Sequence, residues 1–172
     1  MPRLSPDSRL IIAPHEPTAG HLEPIERWAA RERLQFHRLA EATAESEVVL
    51  VDRVGVLGDL YALADIAFVG GGFHDAGLHS VLEPAAFGAP VLFGPQHGAS
   101  RDAGVLIDRG GARSANDLPS LLNSLTQWST DRAARAASGE HALATVRDGL
   151  GAAARSLAVV ESLLGLPNDE RR

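Results

Sequence analysis

VVLVDRVGVLGDLYALADIAFVGGGFHDAGLHSVLEPAAFGAPVLFGP, residues 48–95, decides the fold. It contains three short apolar runs, at 47–51 (EVVLV), 66–69 (IAFV) and 90–93 (PVLF), each closed by a charged residue, a glycine run or Gly-Pro. Runs of four or five apolar residues without alternation are what strands buried on both faces look like. Between them, residues 57–64 and 80–87 carry apolar positions at helical spacing, the second stopping at Gly88. Strand, helix, strand, helix, strand predicts βαβ units and a parallel sheet.

Outward from this stretch the pattern continues. Residues 9–13 (RLIIA) predict a strand ended by Pro14, and residues 36–39 a brief one. Leu22, Ile25, Trp28, Ala29 and Leu34 fall near helical spacing, with Pro24 expected in that helix's first turn. Towards the C-terminus, 101–108 reads as helix, 111–114 as an edge strand, and Asn116 or Asp117 as the N-cap of a helix through Trp128. Ala- and Leu-rich helices are expected at 130–147 and 152–164. The expected architecture is one α/β domain over 1–172, a Rossmann-like doubly wound parallel sheet with helices on both faces. Its core spans about 10–128, with C-terminal helices over 130–165 and a frayed tail at 166–172.

Composition narrows the function. The net charge is −6, and all 16 basic residues are Arg. Before residue 100 there are 7 Arg against 13 acids, so no basic stripe offers itself to nucleic acid. Without Cys there is no disulfide framework, thiolate site or thiol nucleophile. No apolar run reaches the roughly 18 to 20 residues of a membrane-spanning helix, and the first nine residues do not read as a signal peptide. The chain is expected to be soluble and cytoplasmic.

Parallel sheets bind ligands beyond the carboxyl ends of their strands, which points to the loops after Ala13, Val51, Val69 and Phe93. Gly70, Gly71 and Gly72 remove Cβ atoms that would hold a ligand off the backbone. A helix expected to begin near His79 and Ser80 would aim its N–H groups at the same crevice. Glu83, one helical turn after His79, would share its face and accept hydrogen bonds from sugar hydroxyls. A phosphodiester or sugar phosphate suits this geometry, as does a plain tight turn with a solvated Glu83. After the next strand, Gly94, Pro95 and Gln96 form a bend whose main chain can read a base edge, or merely a turn. His15 and Glu16 form a third loop, a phosphate donor and its orienting carboxylate or a surface pair. His74, His79 and His97 lack the spacing of a metal site, and no G-x-S-x-G elbow is present, so neither a metal nor a serine nucleophile is expected. Trp28 and Trp128 read as packing residues.

Residues 48–95 resemble the donor-binding domain of bacterial 3-deoxy-D-manno-octulosonic acid (Kdo) transferases. VDRVGVLGDLY, the triple glycine, HSVLEP and VLFGP stand in the family's order and spacing, and IIAPHEP at 11–17 looks like its preceding segment. The resemblance implies half of a two-domain GT-B enzyme that moves Kdo from CMP-Kdo to a lipid A precursor, with no metal cofactor. By the same likeness Glu83 would hold the ribose, and His79 and Ser80 would lie beside the nucleotide phosphate. The acceptor site and the general base would belong to an N-terminal half outside this stretch, so no catalytic residue is expected here. Even that domain's first strand would precede residue 9. Ser80 stands where the family usually has Asn, Leu78 where it has a second Gly, and Pro14-His15-Glu16 where many relatives have Pro-Arg-His. A titratable cation there implies pH-dependent donor affinity. The full enzyme would work at the cytoplasmic face of the inner membrane. Two other readings remain: a non-catalytic interaction domain keeping the fold, and a GT-B protein using a UDP-sugar. A sheet opened at its second strand also implies self-association.

Overall fold

The computed structural model describes residues 8–164 except Ala76. Six three-residue strands alternate with helices: β1 (Leu10–Ile12), α1 (Ala19–Arg31), β2 (Phe36–Arg38), β3 (Val48–Leu50), α2 (Leu57–Leu60), β4 (Ala67–Val69), α3 (Leu82–Ala86), β5 (Val91–Phe93), α4 (Arg101–Asp108), β6 (Ala112–Ser114), α5 (Leu118–Thr130), α6 (Arg132–Gly149) and α7 (Ala152–Leu163). Single 3-10 turns follow β2 and α2, at Leu39–Glu41 and Tyr61–Leu63. The tail expected to fray lies outside the described residues.

Every strand pair is parallel, as the unbroken apolar runs predict. The ladders fall into two groups of three, ordered β1-β3-β2 and β4-β5-β6, where a single sheet was expected. The middle strand of each is the most buried. Val48, Val49 and Leu50 are buried, as are Val91, Leu92 and Phe93. The main core gathers around β5, where Val69, Val81, Ala85, Phe93, Ala103, Leu106, Ala112 and Ala142 interlock.

Helix ends follow local chemistry. Ser100 caps α4 through the Ala103 N–H, and Asp117, rather than Asn116, caps α5 in a reciprocal box with Ser120. Asp131 caps α6 by accepting from Ala134 N–H. Trp128 of α5 is fully buried, with the Arg113 guanidinium 4.6 Å from its ring centroid. Arg38, at the end of β2, ties that strand to α1 through Glu26 at 2.7 Å, and this partner raises the guanidinium above its ordinary value.

Two expectations about proline and helix starts are corrected. α1 begins at Ala19, so Pro24 lies inside it rather than in its first turn, and Leu34 falls beyond its end. α3 begins at Leu82, not near Ser80, and has five residues. A start at Ser80 would require a Pro84 N–H to reach the Ser80 carbonyl, and proline has none. Starting at Leu82 puts Pro84 in the first turn, where no N–H needs a partner.

Candidate functional site

The loops leaving β1, β3, β4 and β5 all emerge at the strands' carboxyl ends. After β1, Pro14 turns the chain and His15 projects from it, exposed. After β4, the loop at 70–81 runs through the glycines and returns, with the His79 N–H donating to the Gly70 carbonyl at 3.3 Å. These two loops meet: the His15 and His79 rings stack with centroids 4.7 Å apart and planes 21° from parallel. The two stacked imidazoles, with the exposed Ser80 next in the chain, offer donors suited to an oxyanion.

Three of the glycines admit a close approach of the chain's own backbone. Gly71 adopts φ 90°, and a Cβ there would strike the Gly77 carbonyl. A Cβ on Gly72 would stand 2.6 Å from the Gly94 nitrogen, and one on Gly94 would strike the Gly72 carbonyl. The space beside Gly71, Gly72 and Gly94 is therefore filled by the chain's own backbone, which locks the loops after β4 and β5 together. Gly70 is the more open member: among the described residues a Cβ there would meet only His79, at 3.9 Å.

At the bend of Gly94, Pro95 and Gln96, the main-chain N–H groups of Gln96 and His97 are taken up within the chain rather than offered to a base edge. The Gln96 N–H donates to the Gly72 carbonyl at 2.8 Å, and the His97 N–H to the Pro95 carbonyl at 2.9 Å. Gly94 accepts from the Ser114 hydroxyl at 3.2 Å. The exposed Gln96 side chain is what this loop offers. Glu16 does not orient His15 either. Its carbonyl accepts from Thr18 N–H at 2.8 Å and His21 Nδ1 at 2.7 Å, and among the described residues its carboxylate bonds to no His15 nitrogen.

Glu83 is exposed in the first turn of α3, while His79 precedes that helix, so the two do not share a helical face as expected. A helix of five residues also carries too little dipole to serve as the expected anion hole. Glu83 instead lies on the helix that packs against the 3-10 turn of Tyr61: burial first, and the Glu83 carboxylate second, push the Tyr61 phenol above its ordinary value. Tyr61 was missed as a site residue although it ends the quoted VDRVGVLGDLY motif. Asp52, at the carboxyl end of β3, was missed as well. Its Oδ1 is buried without a hydrogen bond among the described residues, and its carboxylate lies 3.7 Å from Arg53 and 3.8 Å from Arg38. An acidic residue at a strand's carboxyl end was the signal in sequence, because Asp52 directly follows EVVLV. Among the described residues no group of three or more His, Asp or Glu is placed to hold a metal ion.

No family profile matches the chain. Its sequence matches curated 3-deoxy-D-manno-octulosonic acid transferases, being 37% identical over 123 residues to that of Bordetella pertussis, which covers 69% of this chain and 28% of the relative. To the transferase of Aquifex aeolicus it is 43% identical over 68 residues, covering 40% of this chain and 19% of the relative. A bifunctional glycosyltransferase/methyltransferase of Fusobacterium nucleatum is 36% identical over 90 residues. The chain thus spans under a third of the length of each. Among solved structures, the C-terminal CMP-Kdo binding domain of WaaA from Acinetobacter baumannii superposes with a TM-score of 0.69. That match covers 79% of this chain and 72% of that one at 23% identity, a likeness of fold.

Proposed function

Starting from a chain related in sequence to the 3-deoxy-D-manno-octulosonic acid transferases, we propose that it is the donor-binding part of such a glycosyltransferase and holds the CMP group of CMP-Kdo. The observation that carries this reading is the meeting of the loops after β1 and β4, where His15 stacks on His79 beyond the carboxyl ends of parallel strands. The nucleotide phosphate would take hydrogen bonds from His15, His79 and Ser80. Glu83, exposed at the start of α3 and beside Tyr61, would accept from the ribose hydroxyls. Gly70 is the glycine with room for close approach, and Gln96 the side chain nearest to hand for the base.

In the transfer itself the acceptor hydroxyl attacks the anomeric carbon as the bond to the CMP phosphate oxygen breaks, inverting that centre. The donors gathered here stabilise the departing phosphate as its charge grows. We assign no metal to this step. The base that takes the hydroxyl proton and the lipid A precursor site belong, in this proposal, to a facing N-terminal half, and the whole enzyme works at the cytoplasmic face of the inner membrane.

Titrating CMP into the labelled chain and following amide resonances by NMR tests the reading. Shifts are expected at Gly70, His79, Ser80 and Glu83, and Glu83→Ala should weaken binding by about tenfold, the loss of one charge-assisted hydrogen bond. Spectra unmoved at millimolar CMP would overturn the assignment. UMP competing as well as CMP would move the proposal to a uridine nucleotide donor.

A further inference from the structure

The opposite rim of the parallel strands carries a second concavity. Asp65 stands two residues before β4 and Pro90 directly before β5, so both lie at the strands' amino ends, away from the loops of the proposed donor site. The Ala67 N–H donates to the Pro90 carbonyl at 3.0 Å, which ties the two strand entrances together. With the first turns of α6 beside them, Asp65, Gly88, Pro90, Arg132, Arg135 and Ala136 line a cleft of about 290 Å³. That is near the lower limit of small-molecule sites, about 300 Å³. One wall is firmly set, because Gly139 brings α6 against the Gly88 carbonyl where a Cβ would strike.

Two guanidinium groups share this cleft. Arg132 and Arg135, three positions apart, lie on one face of α6. One N–H of Arg135 donates to the Trp128 carbonyl at 2.7 Å, and its other terminal nitrogen lies 3.6 Å from Asp65 Oδ1. The Arg135 side chain is only 22% exposed, so its fork is held in place before any ligand arrives. The contact with Asp65 is too long for a hydrogen bond, and Asp65 is 83% exposed, so solvent weakens the pair. Among the described residues the Arg132 guanidinium makes no hydrogen bond or ion pair. One loosely held carboxylate therefore faces two like charges. In a chain of net charge −6, a concave surface with surplus positive charge selects an anion. Forks reaching in from two positions on α6 suit the three oxygens of a phosphoryl group better than one planar carboxylate.

We infer that this cleft binds a small phosphate monoester, held by Arg132 and Arg135, with Asp65 turning aside as the anion enters. The site is separate from the donor loops and does not depend on what they bind.

Glycerol 3-phosphate titrated into the labelled 172-residue chain at constant ionic strength tests this, with the amides of Asp65, Gly88 and Ala136 followed by NMR. Saturable shifts are expected at all three. Arg132→Gln, which breaks no contact within the protein, should weaken binding by on the order of tenfold, the loss of one charge-assisted interaction. Asp65→Asn removes the opposing charge and should tighten binding severalfold. Shifts that rise linearly without saturating, equal binding by Arg132→Gln or weaker binding by Asp65→Asn would overturn the inference. Acetate binding as tightly as the ester would overturn the phosphate class. Vesicles of phosphatidylcholine with phosphatidic acid separate the two sources of such a group. Co-sedimentation abolished by Arg132→Gln assigns a lipid headgroup, and saturable binding in solution without co-sedimentation assigns a soluble ester. Any shifts at Gly70 and Ser80 report the donor loops and should be the same in Arg132→Gln, so this outcome is distinct from that of the CMP titration.

Discussion

Gly71 and Gly98 make the sharpest contrast at the scale of single residues. Gly71 holds φ 90° with the Gly77 carbonyl where a Cβ would go, whereas among the described residues nothing lies within 4 Å of a Cβ at Gly98. Gly71→Ala should cost about 1–3 kcal/mol. Gly98→Ala should leave the urea midpoint nearly unchanged at constant m. Tyr61 offers a second residue-level test, because it is the single tyrosine and its phenolate band is read without overlap from another. Its raised value means that the stability it contributes is present below its ordinary value of 10.0 and is lost as pH climbs through the folded value. Glu83→Gln removes a nearby negative charge, so the spectrophotometric midpoint should fall. Burial is the larger cause, so the midpoint should still stay above that of a free tyrosine. An unmoved midpoint would contradict the placement of Glu83 beside Tyr61. The residue types at the site were legible, since His15, His79 and Glu83 lie in motifs that stand out in the chain. The reason for the glycines was not, because Gly72 and Gly94 are 22 positions apart and their contact exists only once β4 and β5 lie side by side.

Among the elements, α5 depends on its cap. The Ser120 hydrogen bonds hold the Asp117 carboxyl below its ordinary range. The stability this contributes is present above the unfolded carboxyl value and is lost as pH falls through the lower folded one. Thermal melts of Asp117→Ala should therefore show a deficit at neutral pH that narrows in acid. At the other end of α5, Trp128 is fully buried, and Trp128→Ala should cost about 3–5 kcal/mol by chemical denaturation. Helix α6 packs on α3, and a Cβ on Gly139 would strike the carbonyl of Gly88 in the turn that follows α3. Element identity was readable from apolar runs and caps, and the α4 boundaries agree with the sequence reading residue for residue. The start of α3 was also readable, had the proline at 84 been weighed against the length of the helix, as its missing N–H confines it to a first turn.

Taken as one object, the molecule pairs a well-buried group, β4-β5-β6 with its helices, with a second group whose edge strand β1 stays half open. No helix among the described residues is long and apolar enough to cross a membrane. If the proposed division of labour holds, the 172-residue chain mixed with CMP-Kdo and a lipid A precursor will bind the donor and form no product. Thin-layer or mass-spectrometric detection of transferred Kdo would contradict it. Sequence by itself determined the parallel α/β class, the order of elements and the loops that gather at the carboxyl ends of the strands. Those follow from short-range patterns: unbroken apolar runs, glycine and proline punctuation, and capping residues. Only the tertiary structure decided that the strands pair as two groups, that His15 meets His79, that Glu83 neighbours Tyr61 and that the glycines make room for backbone. Each of these joins segments distant in sequence, and such contacts are set by packing across strands and loops, which no local pattern encodes.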